Sequence, residues 1–298
     1  LPISIYSLMK RIFEDQREPL FGRADCTLHL KPFDVLTLRE ILVEEQELEG
    51  PEALNSDDLL SLYMITGGVA KYVELLIDAK AFTREAQLTL VFEEFSPFIE
   101  EGKNLLIEEL GKEHTMYFSI LSLIASSKTS RPEIESILGR TVGGYLDRLE
   151  VDYSLIKRVR PILSKPHSRT IKYQISDNFL NFWFRFIDKH KSAIELENYE
   201  YVRRIVDREY ATYSGRVLER YFHELFKLSA SYSELGSYWE RGNQNEIDLV
   251  AVNDEERLVV IVEEKRQATR INLSSLETKA QRLLAKFKGY EVRYEGRS

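Results

Sequence analysis

Apolar residues recur at helical spacing in the first third of the chain, at Leu59, Leu60, Leu62, Tyr63 and Ile65, then at Val69, Tyr72, Val73, Leu75 and Leu76. The two runs predict consecutive helices broken at "TGGV", where Gly67 and Gly68 supply a turn. Residues 34–112 read as mostly helical. Later, "SDNFLNFWFRFIDKH" carries aromatics on nearly every side, at Phe179, Phe182, Trp183, Phe184 and Phe186, with Ser176 or Asp177 as N-cap. A helix apolar all round must be buried.

Between these stretches, from Thr115, the pattern shortens into helix "MYFSILSLIAS", helix "RPEIESIL" with Pro132 in its first turn, and helix "TVGGYLDRLEVD". Two β-rich runs follow, "SLIKRVRPI" and "RTIKYQIS", joined by "LSKPHS". Three helices and a two-stranded wing make a winged-helix candidate.

After a charged helical stretch at 195–212, "SGRVLERYFHELFKL" aligns Val217, Leu218, Tyr221, Phe222, Leu225 and Phe226 on one stripe, with Glu219 at its border. Two strands, a helix over 272–288 and a last strand, "YEVRYE", complete an α/β or α+β unit.

That unit contains "NEIDLVAVNDEERLVVIVEEKRQ". Asp248 interrupts one aliphatic strand and Glu263 ends the other, where the alternation otherwise selects aliphatic residues. If Val252 pairs with Arg257 across the turn, Asp248 opposes Ile261 and Glu246 opposes Glu263. Asp248, Glu263 and Lys265 then share a face, with diagonal neighbours roughly 7–8 Å apart. A loop differing by one residue would bring Glu264 to that face instead. Two carboxylates there could hold one cation, and an all-oxygen donor set favours magnesium or manganese. Lys265 could orient a water or offset phosphate charge, and Glu219 could approach from its helix. The competing reading is a polar sheet edge.

Composition narrows the partners. The 298 residues carry a net charge of −8 and 43% apolar content, so nucleic acid would have to be met locally and not by the whole surface. Residues 34–60 hold nine acidic residues against Arg39 alone, whereas 128–172 hold ten basic residues against five acidic. Arg158 and Lys165, near and in the wing, are the candidate DNA contacts; Asp147, Glu150 and Asp152 on the third helix would face phosphates badly. Cys26 is the only cysteine, which excludes an internal disulfide and zinc sites built on paired cysteines. His114, His167 and His190 stand isolated and read as ordinary polar residues. No apolar run long enough for a membrane span and no signal-peptide pattern occur, so the expectation is a cytoplasmic protein. Leu1 comes first and Met9, Met64 and Met116 are internal, which suggests a piece of a longer reading frame.

Several segments together resemble the C-terminal part of prokaryotic archaeal-type ATPases of the AAA+/STAND group. "EPLFGR" and "LHLKPF" resemble the end of the ATPase core and "YMITGGVAKYVELL" its helical lid, with Ala70 where the pattern usually has proline. "YQISDNFLNFWFRF" resembles the junction after the winged helix. "GRVLERYFHELF", "YWERGNQNEIDLVAV" and "VVIVEEKRQ" resemble a PD-(D/E)xK nuclease-like domain.

The resemblance implies a multidomain α+β chain. Its parts would be 1–33 as the end of the ATPase core, 34–112 as lid, 113–176 as winged helix, 177–212 as connector and 213–298 as a restriction-endonuclease-like α/β domain. It implies acidic site residues Glu219, Asp248 and Glu263 with Lys265, a metal-dependent DNA nuclease gated by nucleotide in the intact protein, and possible homo-oligomers. The alternative is a noncatalytic DNA- or protein-binding module on a degenerate nuclease fold. No GxxxxGK[ST] occurs, so the phosphate-cradling loop is absent and ATP hydrolysis is not expected of this chain alone. Arg23 could reach a γ-phosphate only with the missing N-terminal ATPase half.

Overall fold

A computed structural model describes residues 12–13, 16–26, 28, 30–47, 53–111, 114–165, 168, 170–240, 242 and 244–298. His167, Arg169, Glu49 and Glu52 lie outside the described residues. The protein is mixed α+β and divides into two compact units. No described helix is long and apolar enough to cross a membrane.

One unit contains the described residues up to Phe33, Met64–Arg158 and Tyr173–Val206. Its helices are α3 (Ala70–Asp78), α4 (Arg84–Val91), α5 (Pro97–Leu110), α6 (His114–Ala125), α7 (Arg131–Leu138), α8 (Gly143–Val151), α9 (Asn178–Phe182) and α10 (Lys191–Glu195). The aromatic segment is buried as its pattern demands: Phe179, Phe182, Trp183, Phe184 and Phe186 are all at most 3% exposed. Asp177 is the N-cap and accepts from Leu180 N at 2.7 Å. Past Phe182 the helix widens into a π-turn, Trp183–Ile187, and Trp183 Nε1 donates to Ile99 O at 2.8 Å.

The turn at Gly67 and Gly68 is real, and both adopt positive φ. Gly68 is obligatory for a second reason: a Cβ there would lie 2.0 Å from the Phe33 carbonyl oxygen, while Gly68 O accepts from Phe33 N at 2.7 Å. Helices α6, α7 and α8 precede the two-stranded sheet β1 (Ile156–Val159) and β2 (Lys172–Ile175), in the expected order.

The other unit contains Asp34–Tyr63, Val159–Lys172 and Asp207–Ser298. This division departs from the expected boundaries for physical reasons. In α2 (Ser56–Thr66), which follows α1 (Val35–Glu45), Asp57 is ion-paired with Arg266, and Tyr63 donates to Glu224 at 2.7 Å. The segment after β1 joins the sheet edge, because Ile162 N donates to Ser237 O at 2.8 Å. That contact covers an edge strand that would otherwise offer unpaired backbone groups.

The sheet of this unit has the order β3 (Glu234–Tyr238), β4 (Ile247–Asn253), β5 (Leu258–Glu264), β6 (Glu291–Arg297). The first two pairings are antiparallel, and β6 returns parallel to β5 after α12 (Leu273–Leu284). The long helix α11 (Tyr199–Leu228) brings Phe226 against Leu249, Ala251, Leu258, Val260 and Val262. On the opposite face, Leu276, Ala280 and Leu283 of α12 pack with Val250, Val252, Val259 and Ile261. Every residue of β5 is therefore buried, which is why its sequence reads as a continuous apolar run and not as an alternation.

Candidate functional site

The hairpin register corrects the expected one by two residues. Val252 pairs with Val259 and Asn253 with Leu258, not Val252 with Arg257. Arg257 sits at φ 51 in the turn, and Asn253 Oδ1 accepts from Glu256 N at 2.9 Å. A left-handed turn residue cannot continue the ladder. Since the slip is two and not one, each side chain keeps its face. Leu249 pairs with Val262, the last pair before Asp248 and Glu263.

At that end of the hairpin the Asp248 carboxylate takes over from the backbone ladder. Its Oδ2 accepts from Glu264 N at 3.0 Å and from Lys265 Nζ at 3.2 Å. Lys265 Nζ also lies 3.8 Å from Glu263 Oε1. Asp248, Glu263 and Lys265 thus converge, and the Lys265 side chain keeps 35% of its exposure.

Glu263 has further obligations. Its Oε2 accepts from Asn272 N, the N-cap of α12, at 2.6 Å, and its Oε1 lies 3.7 Å from Lys279 Nζ. A carboxylate at a helix N-terminus satisfies an orphan donor and meets the positive end of the helix dipole. Sequence reasoning missed this tether and Lys279, because the pairing depends on where α12 docks.

Glu264 differs from its neighbour. It is 5% exposed, and neither carboxylate oxygen has a hydrogen-bond partner among the described residues. Burial, then the charges of Asp248 and Glu219, push its carboxyl up to about 9, with Lys265 opposing. Glu219 is pushed up to about 7 by the crowding of surrounding protein, then by Asp248 and Glu246. Its side chain nonetheless reaches solvent, which puts it at the rim of the cluster and not on its floor. Glu246 itself is ion-paired with Lys172 at 2.7 Å, and that ammonium lies 4.5 Å from the Trp239 ring.

Next along the chain, Arg266 is held on three sides. Its guanidinium pairs with Asp57, donates to Ser214 Oγ at 2.6 Å and lies 4.7 Å from the Tyr210 ring. The end of β5 is thereby anchored to α2 and α11.

The remaining expected residues lie elsewhere. Arg158, in β1, is ion-paired with both Asp147 and Glu150, so its charge is already answered within the protein. Lys165 is exposed, as is Arg23. Among the described residues no three His, Cys, Asp or Glu side chains stand close enough together to hold a metal ion.

Residues 183–280, a span that includes Glu219, Asp248, Glu263, Glu264 and Lys265, match the family model DUF234, described as archaea bacterial proteins of unknown function. Over 272 residues the chain is 28% identical to "Uncharacterized protein MJECL04" of Methanocaldococcus jannaschii, a stretch covering 88% of this chain and 58% of that relative. The chain therefore spans somewhat over half the length of the curated relative it matches. No solved structure matches it.

Proposed function

We propose that the 213–298 segment is a divalent-cation-dependent phosphodiesterase acting on DNA, with its centre at the open end of the β4–β5 hairpin. One observation carries this reading: Lys265 Nζ stands 3.2 Å from Asp248 and 3.8 Å from Glu263, beside a second buried acid without a partner. An all-oxygen donor set suits magnesium or manganese, and the two orphaned oxygens of Glu264 are the kind of buried acceptor a cation would satisfy. Asp248 and a glutamate at the end of β5 would hold the ion. Such an ion polarises a phosphoryl oxygen and lowers the pKa of a water.

The protein's own groups supply the rest. Lys265, half open to solvent, orients the attacking water and offsets negative charge on the phosphate, while Glu219 at the rim receives a proton. Water oxygen bonds to phosphorus, the phosphorus–oxygen bond to the leaving sugar breaks, and the departing oxygen takes up a proton. Exposed Lys165 is the candidate phosphate contact beyond the centre. In the longer protein implied by the resemblance, ATP bound upstream would gate cleavage, with Arg23 reaching the γ-phosphate. The test is nicking of supercoiled plasmid with Mg²⁺ or Mn²⁺. The wild-type chain should cut and Asp248→Asn, similar in size and polarity, should not; a wild-type chain inert with both cations would sink the reading.

A second reading, a noncatalytic DNA- or protein-binding module, is favoured by the engagement of Glu263 with Asn272 N and two lysines. It predicts DNA binding without cleavage and melting unchanged by Mn²⁺, since a ligand bound only by the folded state must raise stability.

A further inference from the structure

The geometry points to Glu264, and not Glu263 of the ExK pattern, as the carboxylate of β5 that joins Asp248 in holding the cation. This rests on the cation-dependent reading above and assigns the ligand within it.

Three observations converge. The first is vacancy: both carboxylate oxygens of Glu264 lack a partner among the described residues although the residue is 95% buried by its 5% exposure. Burying an unpaired carboxylate is expensive, and a cation is one group that would repay it. Glu263 offers no such vacancy, because Asn272 N, Lys265 and Lys279 already surround its oxygens.

The second is direction. Leu258, Val260 and Val262 of β5 pack against Phe226, so strand alternation sends Glu264 to the same face, toward α11. Helix α11 runs antiparallel to β5 there: Phe226 meets residues 258–262, while Ser214 and Tyr210 meet Arg266. Glu219 lies between those contacts, two helical turns before Phe226 on the same stripe, and so comes abreast of Glu264.

The third is adjacency. The Asp248 carboxylate accepts the backbone N–H of Glu264 itself at 3.0 Å, so it stands in the line of the ladder, between the two faces of the sheet, next to the root of Glu264. Glu263 is then a structural residue whose work is to seat the first turn of α12. Its place in the motif and its place in the fold have separated.

The experiment is Mn²⁺ titration of the whole chain, followed by thermal melting, for wild type, Glu264→Gln and Glu263→Gln. Glu264→Gln should keep the wild-type fold without cation, since the carboxyl it replaces has no hydrogen-bond partner to lose among the described residues, and circular dichroism checks that. Its half-saturating Mn²⁺ concentration should rise by at least the roughly 10- to 100-fold that follows loss of even an outer partner. Glu263→Gln keeps an acceptor for Asn272 N and should stay within about 3-fold of wild type, well below that range. A weakened Mn²⁺ response in Glu263→Gln with a normal one in Glu264→Gln would overturn the assignment and leave the cation-dependent reading standing. No Mn²⁺ response in wild type would overturn both.

Discussion

Replacing Glu264 by Gln should flatten the dependence of stability on pH. In the folded protein its carboxyl is raised to about 9 by burial and by Asp248 and Glu219; unfolded, it returns to the ordinary glutamate value of about 4.3. The folded state therefore keeps this proton where the unfolded state releases it. Stability from the group is fully present below the unfolded value and is lost as pH rises toward the folded one. The residue is 5% exposed, so solvent screening is slight.

Each pH unit in that window changes stability by at most roughly 1.4 kcal/mol. Between pH 5 and pH 8 the upper bound is about 4 kcal/mol, and relaxation around the charge lowers it. Glutamine cannot titrate, so the pH-dependent part of the difference between the two proteins reports the Glu264 carboxyl. The assay is urea unfolding at pH 5, 6, 7 and 8 with chelator present. Glu264→Gln should gain on wild type steadily as pH rises. A difference constant across the four pH values would refute the buried, partnerless placement of Glu264.

Lys265→Ala should lower cation-dependent cleavage by about 10²-fold or more, as loss of a group acting on developing charge does, while plasmid binding measured with Ca²⁺ in place of Mg²⁺ persists. Lys165→Glu should weaken DNA binding for all sequences and reduce the slope against log salt by about one without shifting the melting temperature. Arg158→Glu should instead lower stability by about 1–2 kcal/mol in urea unfolding, because it places a third acid against Asp147 and Glu150 in a cluster that solvent partly screens. Gly68→Ala should cost at least about 2 kcal/mol, since the new methyl meets the Phe33 carbonyl at 2.0 Å and φ is 76; an unchanged urea midpoint would contradict that contact.

Local signals were legible wherever neighbours along the chain decide the outcome. The aromatics of 179–186 could only be a buried segment, Asp177 could cap it, and the glycine pair could only be a turn, because each follows from side-chain size, a local hydrogen bond or backbone sterics. The interruption of the aliphatic pattern at Asp248 and Glu263 likewise marked the end of the hairpin where Lys265 meets both, although the expected register was off by two residues. What no local pattern contains is the partner on each side of the sheet. Glu263 and Glu264 are adjacent identical residues, yet one meets the N-terminus of α12 and two lysines while the other is sent toward α11 without a partner. Arg158 read as a free cation until β1 was set beside the acids of α8. A carboxylate's character comes from its solvation and from charges within a few ångströms, and those are fixed only when distant segments pack.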